Sequence, residues 1–453
     1  MTLMPQALRN TLLSFRDVLA TTGPFILIAV VLLGIAYWVL DPTPPRKVVL
    51  ATGVEQGAYA EFGRRYAELL KVHGITVELR TTQGAAENLK LLRDPDSGVD
   101  LAFVQGGADV DRPGEAIEED LVSLGSLFYE PLWVFYREDS AQRLIKSPLV
   151  NGLSQLTGWK INFGAEGSGV PNLMGRLIDA NRIDPAGLSM MKMTQTPAVV
   201  ALLEGQIDAV ALASAPESVM VQMLLQTPGI KLLDVAQADA YSRRFPFLTP
   251  VVLPRGVVDL ASDLPPADVH LVAPTASLVA REGTHPALIQ LFLQAAQKVH
   301  GGAGWFQRKG DFPNARGDER PLAAEAARYY RNGPPYLQRY LPFWLGNLID
   351  RMWVALASII VILIPLSRVI PPLYQFRIRS RVFRWYGQLR AVENATGHRP
   401  AEELNRELDD IEQKVERVSV PLSYADELYS LRSHIDMVRR KLAEGPAPSE
   451  GQG

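Results

Sequence analysis

Cysteine is absent from the 453 residues. That excludes disulfides, thiol nucleophiles and thiolate metal sites, and it suits an oxidising compartment without requiring one. Neither sign of charge is in excess. The formal net charge is −3, which gives no electrostatic case for nucleic acid. Histidine is scarce: His73, His270, His285, His300, His398 and His434 are the six, and no pair has HExxH-like spacing. A zinc protease is therefore not expected, nor any other metal or cofactor. No short repeat of solenoid type is present.

What is present is length and apolar content. A chain with 47% hydrophobic residues is large enough for two or three domains with sizeable cores. Two apolar runs stand out. PFILIAVVLLGIAYWVL (24–40) is uncharged and covers about 26 Å as a helix, enough to span a slightly thinned bilayer. Tyr37 and Trp38 suit an interfacial belt. The alternative is a cleaved signal peptide, but no small-x-small site precedes Asp41. The second run, 345–365, carries the continuous apolar stretch MWVALASIIVILI (352–364). It has no polar face, which favours a span over a buried core helix. Arg368, Arg377, Arg379, Arg381 and Arg384 follow it and place the tail in the cytoplasm. Two spans return the N-terminus, with Arg9 and Arg16, to the same side. The segment from Asp41 to Phe343 is then outside the inner membrane, in the periplasm of a Gram-negative cell.

That outer segment alternates strands and helices. KVVLAT (47–52), ITVELR (75–80), DLAFVQ (100–105), EPLWVFYR (130–137), KINFG (160–164), LSMMKM (188–193), IDAVALA (207–213) and IKLLD (230–234) read as strands. DVHLVAPTASLVARE (268–282) reads as a returning strand pair. Alternation of this kind argues for α/β units on parallel sheets, whose ligands sit beyond the C-terminal strand ends. The candidate ligand residues are therefore those that follow the strands: Gly53, Gln56, Gly57 and Tyr59; Asn88; Gln105; Gly167, Ser168 and Gly169; and Ser214. Such positions split between two groups of βα units describe a two-lobed binder better than one dinucleotide domain. Each has a plainer reading. A glycine at a strand-to-helix turn is ordinary turn chemistry, Asn88 is alternatively a solvent-facing helix residue, and Tyr59 is alternatively a core aromatic.

The turn at Gly164, Gly167 and Gly169 carries no Lys after its glycines, so it is not a P-loop, and its spacing is not GxGxxG. Glu166 stands two before Ser168, so it is not a hydrolase elbow. A hydroxyl and backbone N–H groups cradling a carboxylate is the economical reading.

With TGVEQGAYAEFG, AAENLKLLRDPDSGVDLAFVQ, SLFYEPLWVFYRED, INFGAEGSG and LLEGQIDAVALASAPES in that order, the outer segment resembles the TAXI family of TRAP-transporter solute-binding proteins from about Arg46 to about His300. The resemblance implies a type II periplasmic-binding fold: two α/β lobes, with crossing strands near EPLWVFYR and near PFLTPVVLP (246–254). It implies capture of a small organic acid or amino acid and delivery to a permease. It carries Gly53, Gln56, Gly57, Tyr59, Asn88, Gln105, Gly167, Ser168 and Gly169 into the site. Departures are Val54 where the family usually has a second Gly, Ala60-Glu61 where it has a Tyr-Pro-like pair, and Val170-Pro171-Asn172 where it has Thr and a polar or basic residue.

The resulting organisation is an N-terminus (1–23), a span (24–40), lobe one (46–136), lobe two (137–250), a return to lobe one (251–342), a second span (345–365) and a cytoplasmic tail (366–453). In the tail, VFRWYGQLRAVENATG reads as a short helix. Leu404, Leu408, Ile411, Val415 and Val418, then Leu428, Leu431, Ile435, Val438 and Leu442, form two a/d stripes around Pro421. Ser423 and Asp426 resemble a capping box. A helical hairpin or a self-associating coil is expected, with a disordered end, GPAPSEGQG. The leading expectation is a membrane-tethered periplasmic receptor for a TRAP-type transport system. The alternative is a ligand sensor signalling through the spans to the tail. An enzyme ranks third, because no acid–base constellation is readable.

Overall fold

The computed structural model describes residues 23, 25–108, 120–316, 319–396, 398–416 and 425–444. Arg9, Arg16, Pro24, Val418, Pro421, Ser423 and the terminal GPAPSEGQG lie outside the described residues. The chain divides into two units, Pro42–Leu348 and a second made of Met1–Asp41 with Ile349–Gly453.

The Pro42–Leu348 unit is α/β throughout. Its first half runs β1 (Lys47–Ala51), α2 (Ala58–Lys71), β2 (Thr76–Arg80), α3 (Ala85–Arg93), β3 (Leu101–Gln105) and β4 (Leu121–Tyr129). Next come β5 (Leu132–Arg137), α4 (Glu138–Leu144), β6 (Lys160–Asn162), α5 (Val170–Ala180), β7 (Ser189–Met191) and α6 (Gln195–Leu203). Then follow β8 (Ala209–Ala213), α7 (Val219–Gln226), β9 (Ile230–Leu232), α8 (Ala238–Arg244) and β10 (Leu248–Leu253). The unit closes with β11 (Val269–Arg281), α9 (Pro286–His300), α10 (Ala324–Asn332) and the start of α11 (Phe343–Asn394).

Two sheets result. One has the order β10-β11-β3-β1-β2 with β4 also on β11, and the other β7-β6-β8-β5-β9. The βα units pair in parallel, β1 with β2 and β3, and β6 with β7 and β8. β5 shows how the middle of the second sheet is covered on both faces. Its alternate residues Leu132, Val134 and Tyr136 join one buried cluster, while Trp133 and Phe135 join the cluster on the opposite face.

The chain passes between the sheets twice. The first passage is Glu130-Pro131, between β4 and β5. The second differs from the expectation at 246–254. β10 pairs only with β11, and its Leu248 and Leu253 pack into the clusters of the second sheet. The expected strand pair at 268–282 is instead one strand, β11. Its first half, Val269–Pro274, pairs with β10, and its second half, from Thr275 on, pairs with β4 and β3. The crossing therefore lies at Pro274-Thr275, where the Glu130 N–H donates to the Pro274 carbonyl at 2.9 Å. Alternation of apolar residues marked both segments as strands. It could not say which would run straight from one sheet to the other.

In the second unit, Phe25–Leu40 forms a shorter apolar helix, α1. Among the described residues one helix segment, Phe343–Val369, is long and apolar enough to cross a membrane by length and composition. VFRWYGQLRAVENATG does not start a new short helix: α11 runs on to Asn394. It is followed by α12 (Ala401–Glu416) and α13 (Ala425–Glu444). Leu404, Leu408 and Val415 of α12, Leu431 and Ile435 of α13, and Leu389 and Val392 of α11 share one buried cluster. The described stripe residues are spent on this intramolecular packing.

Candidate functional site

Four strand-to-helix turns converge on one cavity. α2 starts after N-cap Gly57, α3 after Gly84, α5 after Gly169 and α6 after Thr194; none of these four N-cap residues makes a side-chain cap hydrogen bond. At α3 the Thr82 hydroxyl accepts from the Gly84 N–H at 3.2 Å and the Glu87 carboxylate from the Gln83 N–H at 2.7 Å. All four N-cap residues line the cavity. A helix start leaves N–H groups without intrahelical partners and carries partial positive charge. Four such ends around one space make a field for an anion.

Glycines stand where the turns of the two sheets approach one another. At Gly84, with φ +135°, an added Cβ would stand 3.3 Å from the Ser168 Cα. At Gly169 it would stand 1.8 Å from the Gln105 Oε1. Across the same seam the Glu87 N–H donates to the Gly167 carbonyl at 2.9 Å, and the Asn172 amide donates to the Ala108 carbonyl at 2.9 Å. The two lobes thus touch directly at the rim. The cavity they enclose holds about 100 Å³, less than the roughly 150 Å³ that accepts benzene in an engineered protein core.

The wall carries polar groups but, among the described residues, no Lys, Arg or His. Gln105 is 3% exposed and its Nε2 has no hydrogen-bond partner, so a buried donor is left over. Asn162 is spent on the Met193 backbone, accepting at 2.7 Å and donating at 3.2 Å. The Ser168 hydroxyl donates to the Ala165 carbonyl of its own turn at 2.9 Å. Ser214 is held through its carbonyl by the Trp133 indole at 2.8 Å.

At the passage between the sheets sits Glu130, 3% exposed. Its Oε2 accepts from the Tyr59 hydroxyl at 2.7 Å, and Tyr59 is stacked on Phe103 with ring centroids 5.1 Å apart. Burial pushes the Glu130 carboxyl up to about 8, against the smaller opposing effect of the Tyr59 hydrogen bond. Burial, then the nearby Glu130, pushes the Tyr59 phenol well above its ordinary value. Burial thus favours the un-ionised form of the Glu130 carboxyl.

Of the residues expected from sequence, Gly53, Gly57, Tyr59, Gln105, Ser168, Gly169 and Ser214 line the cavity. Three do not. Asn88 is buried and structural: it accepts from the Thr82 hydroxyl at 2.7 Å and donates to the Thr52 carbonyl and, at 2.8 Å, to the Phe103 carbonyl. It ties three strand ends together. Gln56 is exposed and borders a separate depression with Glu61 and Arg64. Gly167 faces Gln83 and Glu87 across the seam. Sequence reasoning missed Glu130, Gln83, Asn162, Thr194 and Gln195, which also line the cavity. Glu130 had a signal, a single acid between the apolar stretches SLFY and LWVFY. No group of three or more His, Asp or Glu side chains able to hold a metal occurs among the described residues.

No curated protein matches the chain. Solved structures similar to it include the periplasmic aliphatic sulphonate binding protein SsuA from Escherichia coli, at 16% identity over 69% of this chain and 78% of that one, with a TM-score of 0.36. The alkanesulfonate-binding protein SsuA from Xanthomonas axonopodis pv. citri, bound to MOPS, is similar at 13% identity over 56% and 73%, with a TM-score of 0.34. The CcmR regulatory domain of Synechocystis PCC6803, in complex with 2-PG, is similar at 18% identity over 56% and 97%, with a TM-score of 0.37. At such scores these likenesses carry no argument about ligand. Residues 50–332 match the NMT1-like family, and the chain belongs to that family.

Proposed function

We propose that the Pro42–Leu348 unit is a solute receptor that closes two lobes over a small organic anion, an organic acid or amino acid. The observation that carries this reading is the convergence of four helix starts, whose N-cap residues make no side-chain cap bond, and the unpartnered Gln105 Nε2 on one cavity whose wall has no basic residue among the described residues. Donors fixed by the backbone suit an anion and need no counter-charge. Closure would be a hinge motion at Glu130-Pro131 and Pro274-Thr275, biased by contacts made only in the closed state. Among the described residues the wall offers no catalytic constellation, so binding is the proposed activity.

In this reading the receptor is held at the periplasmic face of the inner membrane by the apolar segment Phe343–Val369, assisted by α1, with both termini cytoplasmic. Exposed Trp353, Ile360, Val361 and Ile364 support a lipid-facing surface on that segment. Tethering keeps the receptor beside a permease and raises its local concentration. The resemblance to the TAXI family supports a TRAP-type system as that partner. A second reading, a sensor, is favoured by one observation: the chain enters the packed α12–α13 cluster through a helix unbroken from Phe343 to Asn394. Removing residues 386–453 separates the two, because a receptor for uptake keeps transport and a sensor loses output.

The test is a thermal-shift panel on the full-length chain with acetate, pyruvate, alanine, malonate and sulfate. A ligand at 100 times its dissociation constant stabilises by about 2.7 kcal/mol, a readily measured shift. No shift with any small anion would remove the proposal.

A further inference from the structure

Glu130 is the one wall residue whose chemistry the anion field does not explain. It stands at the β4–β5 passage with its backbone N–H fixed on Pro274 and its side chain almost fully buried. One carboxyl oxygen accepts from Tyr59. The other has no hydrogen-bond partner among the described residues and belongs to a side chain on the cavity wall. Among the described residues, the elements that line the cavity beside it supply no other charge. α2 presents Tyr59, β11 presents Pro274 and Thr275, and β8 presents Ala213 and Ser214. Tyr59 is the only other titratable residue on the wall among the described residues.

A carboxylate here would share about 100 Å³ with the anion that the helix starts attract. Two like charges in so small a desolvated space do not both ionise. The carboxyl can meet an anion only as a neutral acid, which has one O–H to donate.

We propose that Glu130 is a specificity-determining residue of this cavity: as an un-ionised acid it donates a hydrogen bond to the ligand, so the site selects small monoanions bearing a second acceptor, such as a keto or hydroxyl oxygen, over dianions and over amino acids. This rests on the solute-receptor reading. Binding then requires the proton on Glu130. Ketosteroid isomerase shows that an apolar site can keep a carboxylic acid neutral at pH 7 so that it donates.

Two measurements on the full-length chain test it. Difference infrared spectroscopy of wild type against E130Q reads the protonation state without any ligand. The expected result is a carboxylic-acid carbonyl band at pH 7 in wild type that is missing in the variant and fades above about pH 8. Calorimetry with pyruvate, malonate and alanine reads specificity. Pyruvate should bind wild type best, with affinity falling about tenfold per pH unit above that value. E130A should weaken pyruvate about tenfold at pH 7. E130Q, which keeps a donor, should weaken it less and abolish the alkaline fall. A missing acid band at pH 7 overturns the proposal. So does alanine binding more tightly than pyruvate with E130Q losing it, which would make Glu130 a carboxylate that reads an ammonium. Anions that bind wild type and E130Q equally at every pH overturn the role of Glu130 and spare the receptor. If no probe binds either protein, the receptor reading falls and takes this proposal with it.

Discussion

Gly169 and Gln105 meet across the seam between the lobes so closely that no Cβ fits at position 169: it would lie 1.8 Å from the Gln105 Oε1. Gly169 is the N-cap of α5 with φ −75°, so alanine is not strained there. The clash falls on the far end of a flexible side chain. Gly169→Ala should therefore leave the melting temperature nearly unchanged while swinging the Gln105 amide out of the cavity. Ligand affinity should drop by about 1.5–3 kcal/mol, the worth of a hydrogen bond to a charged group. Gln105→Ala should cost the same, and the double variant no more, because both remove one interaction. Calorimetric titration of the four proteins with a stabilising anion checks it. Additive losses would contradict the contact.

The pH dependence of stability follows from Glu130. Its native value is raised from 4.5 to about 8, so between these values the folded chain holds a proton that the unfolded chain has released. The stabilisation is fully present below pH 4.5 and is lost as pH rises through 8. At 1.36 kcal/mol per pH unit the full difference is on the order of 3–5 kcal/mol. Denaturant melts of wild type and E130Q at pH 5, 7 and 9 should show wild type losing ground to the variant as pH rises. Parallel profiles would place the titrating group elsewhere.

Tyr59→Phe removes the hydroxyl that supports the ionised form of Glu130. It should cost about 1 kcal/mol of stability and move the Glu130 titration to still higher pH. An infrared titration that shifts downward would contradict the assignment of donor and acceptor.

Asn88→Ala should act on folding and spare the site. The amide serves the Thr52 and Phe103 carbonyls and the Thr82 hydroxyl, so its loss strands buried polar groups at about 1–3 kcal/mol each. A melting temperature lowered by several degrees, with unchanged anion affinity at low temperature, is the expected result. Loss of affinity in a stably folded variant would return Asn88 to the site.

The contrast between Asn88 and Glu130 shows what the sequence made legible. Strand-then-glycine-then-helix spacing revealed the βα units, the two-sheet division and the strand ends, because those patterns are local. Which polar residue at a strand end faces the cavity is set by tertiary placement. Asn88, three positions after the start of α3, turns back to the sheet. Glu130, read as the start of a strand, is instead the joint where the chain leaves one sheet for the other. The straight course of β11 was hidden for the same reason: 268–282 reads as a returning strand pair, yet Val269–Arg281 is one unbroken strand. In the tail, the a/d stripes were visible, but whether they meet within the chain or between copies depends on packing. Leu408→Ala, in the buried α11–α12–α13 cluster, should cost about 2–5 kcal/mol there.

Native mass spectrometry of the full-length chain with pyruvate tests the central claim most directly. The account predicts one bound anion per chain on wild type and marked loss of that adduct on Gln105→Ala. Equal occupancy on both proteins, or none on wild type at millimolar concentration, would contradict an anion held by backbone amides and Gln105 between the lobes.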